Sequence, residues 1–247
     1  MPFPPSDSDD KREHWNRKYG EASSHWLVPD PFLERTFSEY ILPLFPQGGS
    51  ALDLAGGAGR HAIWLAKQGW EVTLIDISET GVEQARQNAG PLASHIHFVV
   101  DDLTEFKASQ TQYDVVMAFY YLERKIFTEI VKAVRPGGLL IYKTHTIAQA
   151  NLANGPKNRA HLLEPDELLQ LAVGLRVLHY REEVAEKATA ELVARKEISL
   201  ERNSLGSGAS EACDIATATG SHLNLSKTAL NAKVAELADA PDLGSGG

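Results

Sequence analysis

Asp53-Leu54-Ala55-Gly56-Gly57-Ala58-Gly59-Arg60 places three glycines within four residues, directly after a short apolar run. Glycine lets a backbone turn tightly and approach a ligand, and a helix opening just beyond it points unpaired amides at negative charge. Asp76 follows Gly57 by nineteen positions. At that separation an acidic side chain is placed to accept both hydroxyl hydrogens of a ribose. A third carboxylate, in Asp102-Leu103, closes another apolar run and suits an adenine amino group. The three acids and the glycine cluster predict a nucleoside-bearing ligand.

Gly57-x-Gly59-x-x-Ala62 also satisfies the dinucleotide fingerprint, so NAD competes with S-adenosylmethionine (SAM). Asp53 favours SAM, because a carboxylate there would repel a pyrophosphate but pair with the ammonium of a methionine moiety. Asp102 adds an acceptor for the adenine amine. The aromatic and apolar residues thin out near residue 200, leaving no separate domain to hold a hydride acceptor. An NAD-dependent oxidoreductase and a non-catalytic SAM-binding protein remain as the rival readings.

Strands must end where these acids stand. Ser50–Leu54, Glu71–Asp76, His97–Val100, Tyr113–Phe119 and Leu139–Lys143 read as five apolar or β-branched strands. Between them run helical stretches: His61–Lys67, a segment capped by Ser78 with Val82, Ala85 and Ala89 on its buried stripe, and a run carrying Ile126, Ile130, Val131 and Val134. Pro136-Gly137-Gly138 is expected to break the chain before the fifth strand. Pro165–Leu171 adds a helix, and 175–180 and 190–195 add two strands joined by a charged connection. Strands alternating with helices predict an α/β fold with a doubly wound, mostly parallel sheet, whose ligands bind at the carboxyl ends of its strands.

The 247 residues carry 24 Lys+Arg against 33 Asp+Glu, a formal charge of −9, which argues against a nucleic-acid partner. No apolar run approaches the roughly 20 residues of a membrane span, and Met1-Pro2-Phe3-Pro4-Pro5 has no signal-peptide pattern. The lone Cys213 supports neither a disulfide framework nor a cysteine metal cluster, and no His cluster has metal-ligand spacing, so no metal is expected. A cytoplasmic protein, monomer or homodimer, is the expectation. Residues 1–11 and the Ser/Gly/Ala-rich tail 201–247 are expected to be disordered around a domain spanning 12–200, with a loose helix over 230–243.

These motifs resemble the class I SAM-dependent methyltransferases: Asp53 to Arg60, Asp76-Ile77-Ser78, Asp102-Leu103, Tyr113-Asp114-Val115-Val116 and Arg135-Pro136-Gly137-Gly138 stand in that order and spacing. Trp15-Asn16-Arg17-Lys18-Tyr19 and Gly59 to Ala66 are similar to the tellurite-resistance/thiol methyltransferase-like group. The resemblance implies a seven-stranded Rossmann-like methyltransferase fold ending in an antiparallel hairpin, and SAM as the cofactor. It implies Ala55, Gly56, Gly57 and Gly59 at the methionine part, Asp76 on the ribose, Ile77 on the adenine face, Asp102 with Leu103 on the adenine edge, and Phe119 lining the sulfonium side. Ala55 stands where the family has its first glycine, which predicts a turn displaced by one residue.

The Asn-Pro-Pro-Tyr signature of amino-methylating enzymes is absent, and Phe119-Tyr120-Tyr121-Leu122 takes its place. With the acidic charge, this points to a small-molecule methyl acceptor such as a thiol, a chalcogen oxyanion or a carboxylate. Tyr120, Arg124 and His145 are the candidate catalytic residues, with Tyr121 and His161 nearby in the pattern. Residues 150–161 read as a substrate-side cover, and Trp15, Tyr19 and Trp26 as a lid over the cofactor or a packing helix. Truncation after Glu201 is expected to leave SAM affinity and melting temperature unchanged; a large loss of either would make the tail part of the folded domain.

Overall fold

The computed structural model describes residues 7–21 and 27–198. The expectations for the tail, the helix at 230–243, Cys213 and Trp26 lie outside the described residues. Seven strands form one sheet: β1 (Ser50–Leu54), β2 (Glu71–Asp76), β3 (Ile96–Val100), β4 (Tyr113–Phe119), β5 (Val134–His145), β6 (Arg176–Val184) and β7 (Ala188–Arg195), in the order β3-β2-β1-β4-β5-β7-β6. The first five are parallel, and β7 runs antiparallel to both β5 and β6. The chain winds outward from β1 to β3 and then returns to β4 beside β1. Such a reversal opens a crevice at the carboxyl ends of those two strands.

Alternation along each strand sorts its side chains onto two cores. Ala51, Val115, Met117 and Ile141 face α2 (Pro31–Thr36), α4 (Arg60–Lys67) and α5 (Glu79–Ala89), meeting Phe32, Leu65 and Ala85. α2 continues through a π-helical turn, Phe37–Ile41, into α3 (Leu42–Leu44). Leu52, Leu54, Val116 and Tyr142 face the other way, onto Ile130 of α6 (Phe127–Ala133) and Leu168 of α7 (Glu167–Leu171). Ser78 caps α5 as expected, its Oγ accepting from the Gly81 N–H at 3.0 Å.

α1 (Asp7–Gly20) starts inside the stretch expected to be disordered to residue 11. Side chains on the helix tie it to the first turn of α5. Asn16 accepts from the Ser78 hydroxyl at 2.6 Å and donates to Glu79 at 2.9 Å, and Arg12 pairs with Glu79 at 3.3 Å. Composition alone does not reveal anchors that lie more than 60 positions downstream.

Two strand boundaries differ from expectation. Pro136-Gly137-Gly138 does not break the chain before a strand; it lies within β5, which begins at Val134. The Gly137 N–H donates to the Lys196 carbonyl at 2.7 Å, and the Lys196 N–H returns to Gly138 at 3.0 Å. Gly138 makes this possible, because a Cβ there would meet the Asp114 carbonyl oxygen at 2.8 Å and those of Tyr113 and Arg135 at 3.0 Å. The charged connection after residue 180 is also largely strand. β6 runs to Val184 and turns through Ala185, Glu186 and Lys187 into β7. β6 is an edge strand, so its charges face water and hide the strand pattern.

Gly138→Ala is expected to lower the unfolding free energy by about 1–3 kcal/mol, since three backbone oxygens cannot yield as a side chain would. Chemical denaturation measures it. An unchanged midpoint would show that β5 accommodates the added methyl.

Candidate active site

The loop between β1 and α4 is held by its own backbone and by Asp76. Gly56 donates to the Ile75 carbonyl at 3.2 Å, and Gly59 to that of Gly56 at 3.0 Å. Asp76 accepts from the Gly57 N–H at 2.8 Å through one oxygen and from the Ser78 N–H at 2.9 Å through the other. Ala55, Gly57 and Gly59 all take left-handed backbone, with φ of 55°, 54° and 85°. The turn is therefore not displaced by Ala55, which adopts the left-handed conformation itself at a cost of about 1 kcal/mol. Gly56 is required for space instead, because a Cβ would meet Leu74 at 2.7 Å and Asp53 at 2.9 Å.

Asp53 is 1% exposed, and its Oδ2 has no hydrogen-bond partner among the described residues. Burial pushes its carboxyl up to about 7, opposed by the Arg60 charge and the Ala62 N–H. Burial likewise raises Asp76 to about 6, opposed by the Ser78 and Gly57 amides. An orphaned, buried acceptor beside an amide-rich loop suits a ligand with a cationic end. Asp102, after β3, is pulled the other way. Burial would raise it, but the donors Ser8 and Thr104 outweigh that and hold the carboxyl low.

α1 lies across all of this. Ser8 donates to Asp102 at 2.5 Å, Asn16 bonds at Ser78, and a Cβ on either Gly57 or Gly81 would collide with Tyr19. Tyr19 is buried, and burial raises its phenol far above the ordinary value. The helix thus roofs the strip from Asp102 to the glycine loop. Ile77 is half-buried beside that strip, and Leu103 sits in the core beneath it.

The second half of the site lies beyond β4 and β5. Phe119 is stacked between His61 at 4.0 Å and Phe32 at 6.3 Å, ring centre to ring centre. Tyr120 follows in left-handed backbone, φ 60°, and donates its hydroxyl to Asp30 at 2.6 Å. Tyr121 packs into the opposite core, so of the two adjacent tyrosines only Tyr120 stands beside His145, at 5.1 Å between rings. His145 is buried, its Nδ1 has no partner among the described residues, and burial lowers its pKa. Burial thus favours the neutral imidazole over the cation.

Arg124 does not join this group. Its guanidinium is committed to Glu167 at 2.5 and 2.9 Å and to the carbonyls of Ala160 and Leu162, both at 2.8 Å. It clamps the end of the 150–161 cover, where His161 points to solvent. The sequence reading missed Asp30, Lys143, Lys187 and Glu191. Lys143 bridges Asp30 and Glu191, both at 2.9 Å. A lysine at the end of an apolar strand was the only local signal for that bridge.

Residues 51–138 match the family model described as a methyltransferase domain. That stretch of the chain is similar to a methyltransferase domain. The putative methyltransferase YqeM of Bacillus subtilis is 31% identical over 137 residues, 52% of this chain and 53% of that protein, so the match spans about half of that relative's length. The tRNA 5-carboxymethoxyuridine methyltransferase of Escherichia coli is 26% identical over 181 residues, 64% of this chain and 68% of its own. The N-methyltransferase NodS of Bradyrhizobium japonicum, solved with S-adenosyl-L-homocysteine (SAH), shares the fold at a TM-score of 0.59 and 18% identity, covering 76% of this chain and 99% of that one. SAM fits the residues present here: an orphaned Asp53 oxygen, a glycine cradle too tight for a Cβ, an acid at the end of β2 and another just after β3.

The two raised acids set a pH dependence for the ligand-free domain. Their folded-state pKa values exceed the unfolded value of about 3.9, so the stability they favour is full below about pH 4 and is lost as pH rises through about 6 to 7. Asp53→Asn is expected to flatten the fall in stability between about pH 5 and pH 8 by an amount on the order of 2–4 kcal/mol. Denaturation across that range checks it; parallel profiles for variant and wild type would contradict it.

Proposed function

We propose that this protein is a cytoplasmic methyltransferase that transfers the methyl group of SAM to a small-molecule acceptor. The observation that carries the reading is the unpartnered Asp53 oxygen beside the glycine loop, which suits an ammonium and opposes a pyrophosphate. It supports SAM over the rival NAD. Asp76 already accepts two amide hydrogens, yet a carboxylate offers about four lone-pair positions, so both ribose hydroxyls can still be accepted. Gly57 and Gly59 give the methionine part a close backbone, Ile77 and Leu103 flank the adenine, Asp102 takes its amine, and Phe119 lines the sulfonium side.

Held by Asp53, Gly57, Gly59 and Asp76, SAM would supply an activated methyl carbon to the acceptor's nucleophilic atom. The protein's part is alignment and exclusion of water, which α1 and Tyr19 serve from above. Tyr120 and His145 border the acceptor side. The neutral His145 imidazole accepts a proton where the nucleophile carries one, and a thiolate or oxyanion needs no base.

The relative that acts on tRNA makes tRNA the second reading. The net charge of −9 favours a small acceptor over it. Calorimetry is expected to show SAM and SAH binding to the wild type, weakened at least about tenfold in Asp76→Ala by loss of two charge-assisted bonds. An unchanged affinity would refute the ribose role. A panel of thiols, oxyanions, carboxylates and tRNA, scored by SAH release, decides the acceptor class; turnover of tRNA alone would establish the second reading.

A further inference from the structure

The charges at the carboxyl ends of β4 and β5 and the amino end of β7 do not balance. Two buried acids, Asp30 and Glu191, lie among four cations. Lys143 sits between both acids, at 2.9 Å from each, and Arg35 takes the second oxygen of Glu191 at 3.2 Å. Asp30 is filled further by the Tyr120 hydroxyl and the Phe32 N–H. That leaves Arg60 and Lys187. Among the described residues neither has a carboxylate at ion-pairing distance, although Glu186 adjoins Lys187 in sequence and Asp53 lies in the electrostatic reach of Arg60.

The two cations converge on one ring. The Arg60 guanidinium lies 5.5 Å from the centre of Tyr120, and the Lys187 ammonium lies 4.5 Å from it and 3.5 Å from its hydroxyl. Burial, followed by the Arg60 charge, lowers the Lys187 pKa, and the opposing pull of Asp30 and Glu186 does not cancel this. Tyr120 holds the left-handed backbone that presents its ring there, secured by its N–H to the Lys143 carbonyl at 2.7 Å. A strained residue kept by its surroundings, under two unpaired cations, is an arrangement that a ligand completes. His145 adds a buried, unpartnered Nδ1 beside the same ring.

We propose that the methyl acceptor is an acidic small molecule whose anionic group is held by Arg60 and Lys187 over the Tyr120 ring. This rests on the methyltransferase reading, since it assigns the acceptor half of that site. The anion is a carboxylate or another oxyanion, and Arg60 supplies the planar fork that both recognise. Two cations on one ring match a single anionic group, whereas a polynucleotide needs a row of basic side chains along its backbone.

The test is titration of sodium benzoate, sodium sulfate and the neutral isostere benzamide into the SAH-loaded full chain. Benzoate or sulfate is expected to bind and benzamide not to. Benzoate binding alone identifies a carboxylate site, and competition between benzoate and sulfate a general oxyanion site. Lys187→Gln and Arg60→Gln are each expected to weaken the bound anion roughly tenfold, the order expected for losing one of two charge-assisted contacts. Lys187→Glu is expected to abolish binding while SAH affinity and melting temperature stay near wild type. The proposal is overturned if SAH binds but neither anion does, if benzamide binds as well as benzoate, or if Lys187→Glu retains the anion. Preferential capture of tRNA over both anions also overturns it. A wild type that binds neither SAH nor SAM overturns the underlying methyltransferase reading instead, and the acceptor role with it.

Discussion

One buried carboxylate holds the candidate cofactor half of this molecule together. Asp76 ends β2, and its two oxygens accept the amides of Gly57 and Ser78, so a single side chain fixes both the loop after β1 and the turn that opens α5. Removing that carboxylate from water is costly, and the rise of its pKa to about 6 records the cost. The two amide bonds offset part of it. Everything nearby depends on the result: Ala55, Gly57 and Gly59 keep left-handed backbone around it, and Ser78 stays positioned to cap α5 and to receive Asn16. Without that turn in place, α1 has no seat and Tyr19 no loop to cover.

The cofactor half was legible in the sequence because its signals are local. A strand that stops at a glycine cluster, an acid at a fixed interval and a serine before a helix each show themselves within a few residues. Ala55 was misread for an instructive reason. The family pattern treats that position as a conformational need for glycine, whereas the fold imposes the conformation and lets alanine bear it. The boundaries of β5 and β6 were misread because their cues point the wrong way: Pro-Gly-Gly signals a break, and a run of charge signals a loop. In the folded chain the glycines admit backbone oxygens, and the charges line the open edge of a sheet.

The candidate acceptor half was not legible, because it is assembled from partners far apart along the chain. Lys143 and Asp30 are 113 positions apart, and Tyr120 and Asp30 are 90. No periodicity encodes such pairs. Asp30 is their hub, at once the cap of α2 and the acceptor for Tyr120 and Lys143. Arg124 shows the converse error. Its residue type suits anion binding, but the neighbouring carbonyls and Glu167 leave its fork no remaining role beyond fastening the 150–161 segment.

The position of β7 has a consequence for how the chain is made. Among the described residues β7 is the last strand in sequence, yet it lies between β5 and β6, and β6 touches no other strand. As the chain leaves the ribosome, β1 through β5 can assemble in sequence while β6 waits without a partner. Pairing Leu139 with Arg195 closes a long loop, and only then is the outer side of β5 covered. Until that moment a nascent domain with a complete glycine loop still exposes an unpaired edge, the state in which parallel sheets are most prone to associate wrongly. The hairpin that carries Lys187 is thus also what covers the outer side of β5.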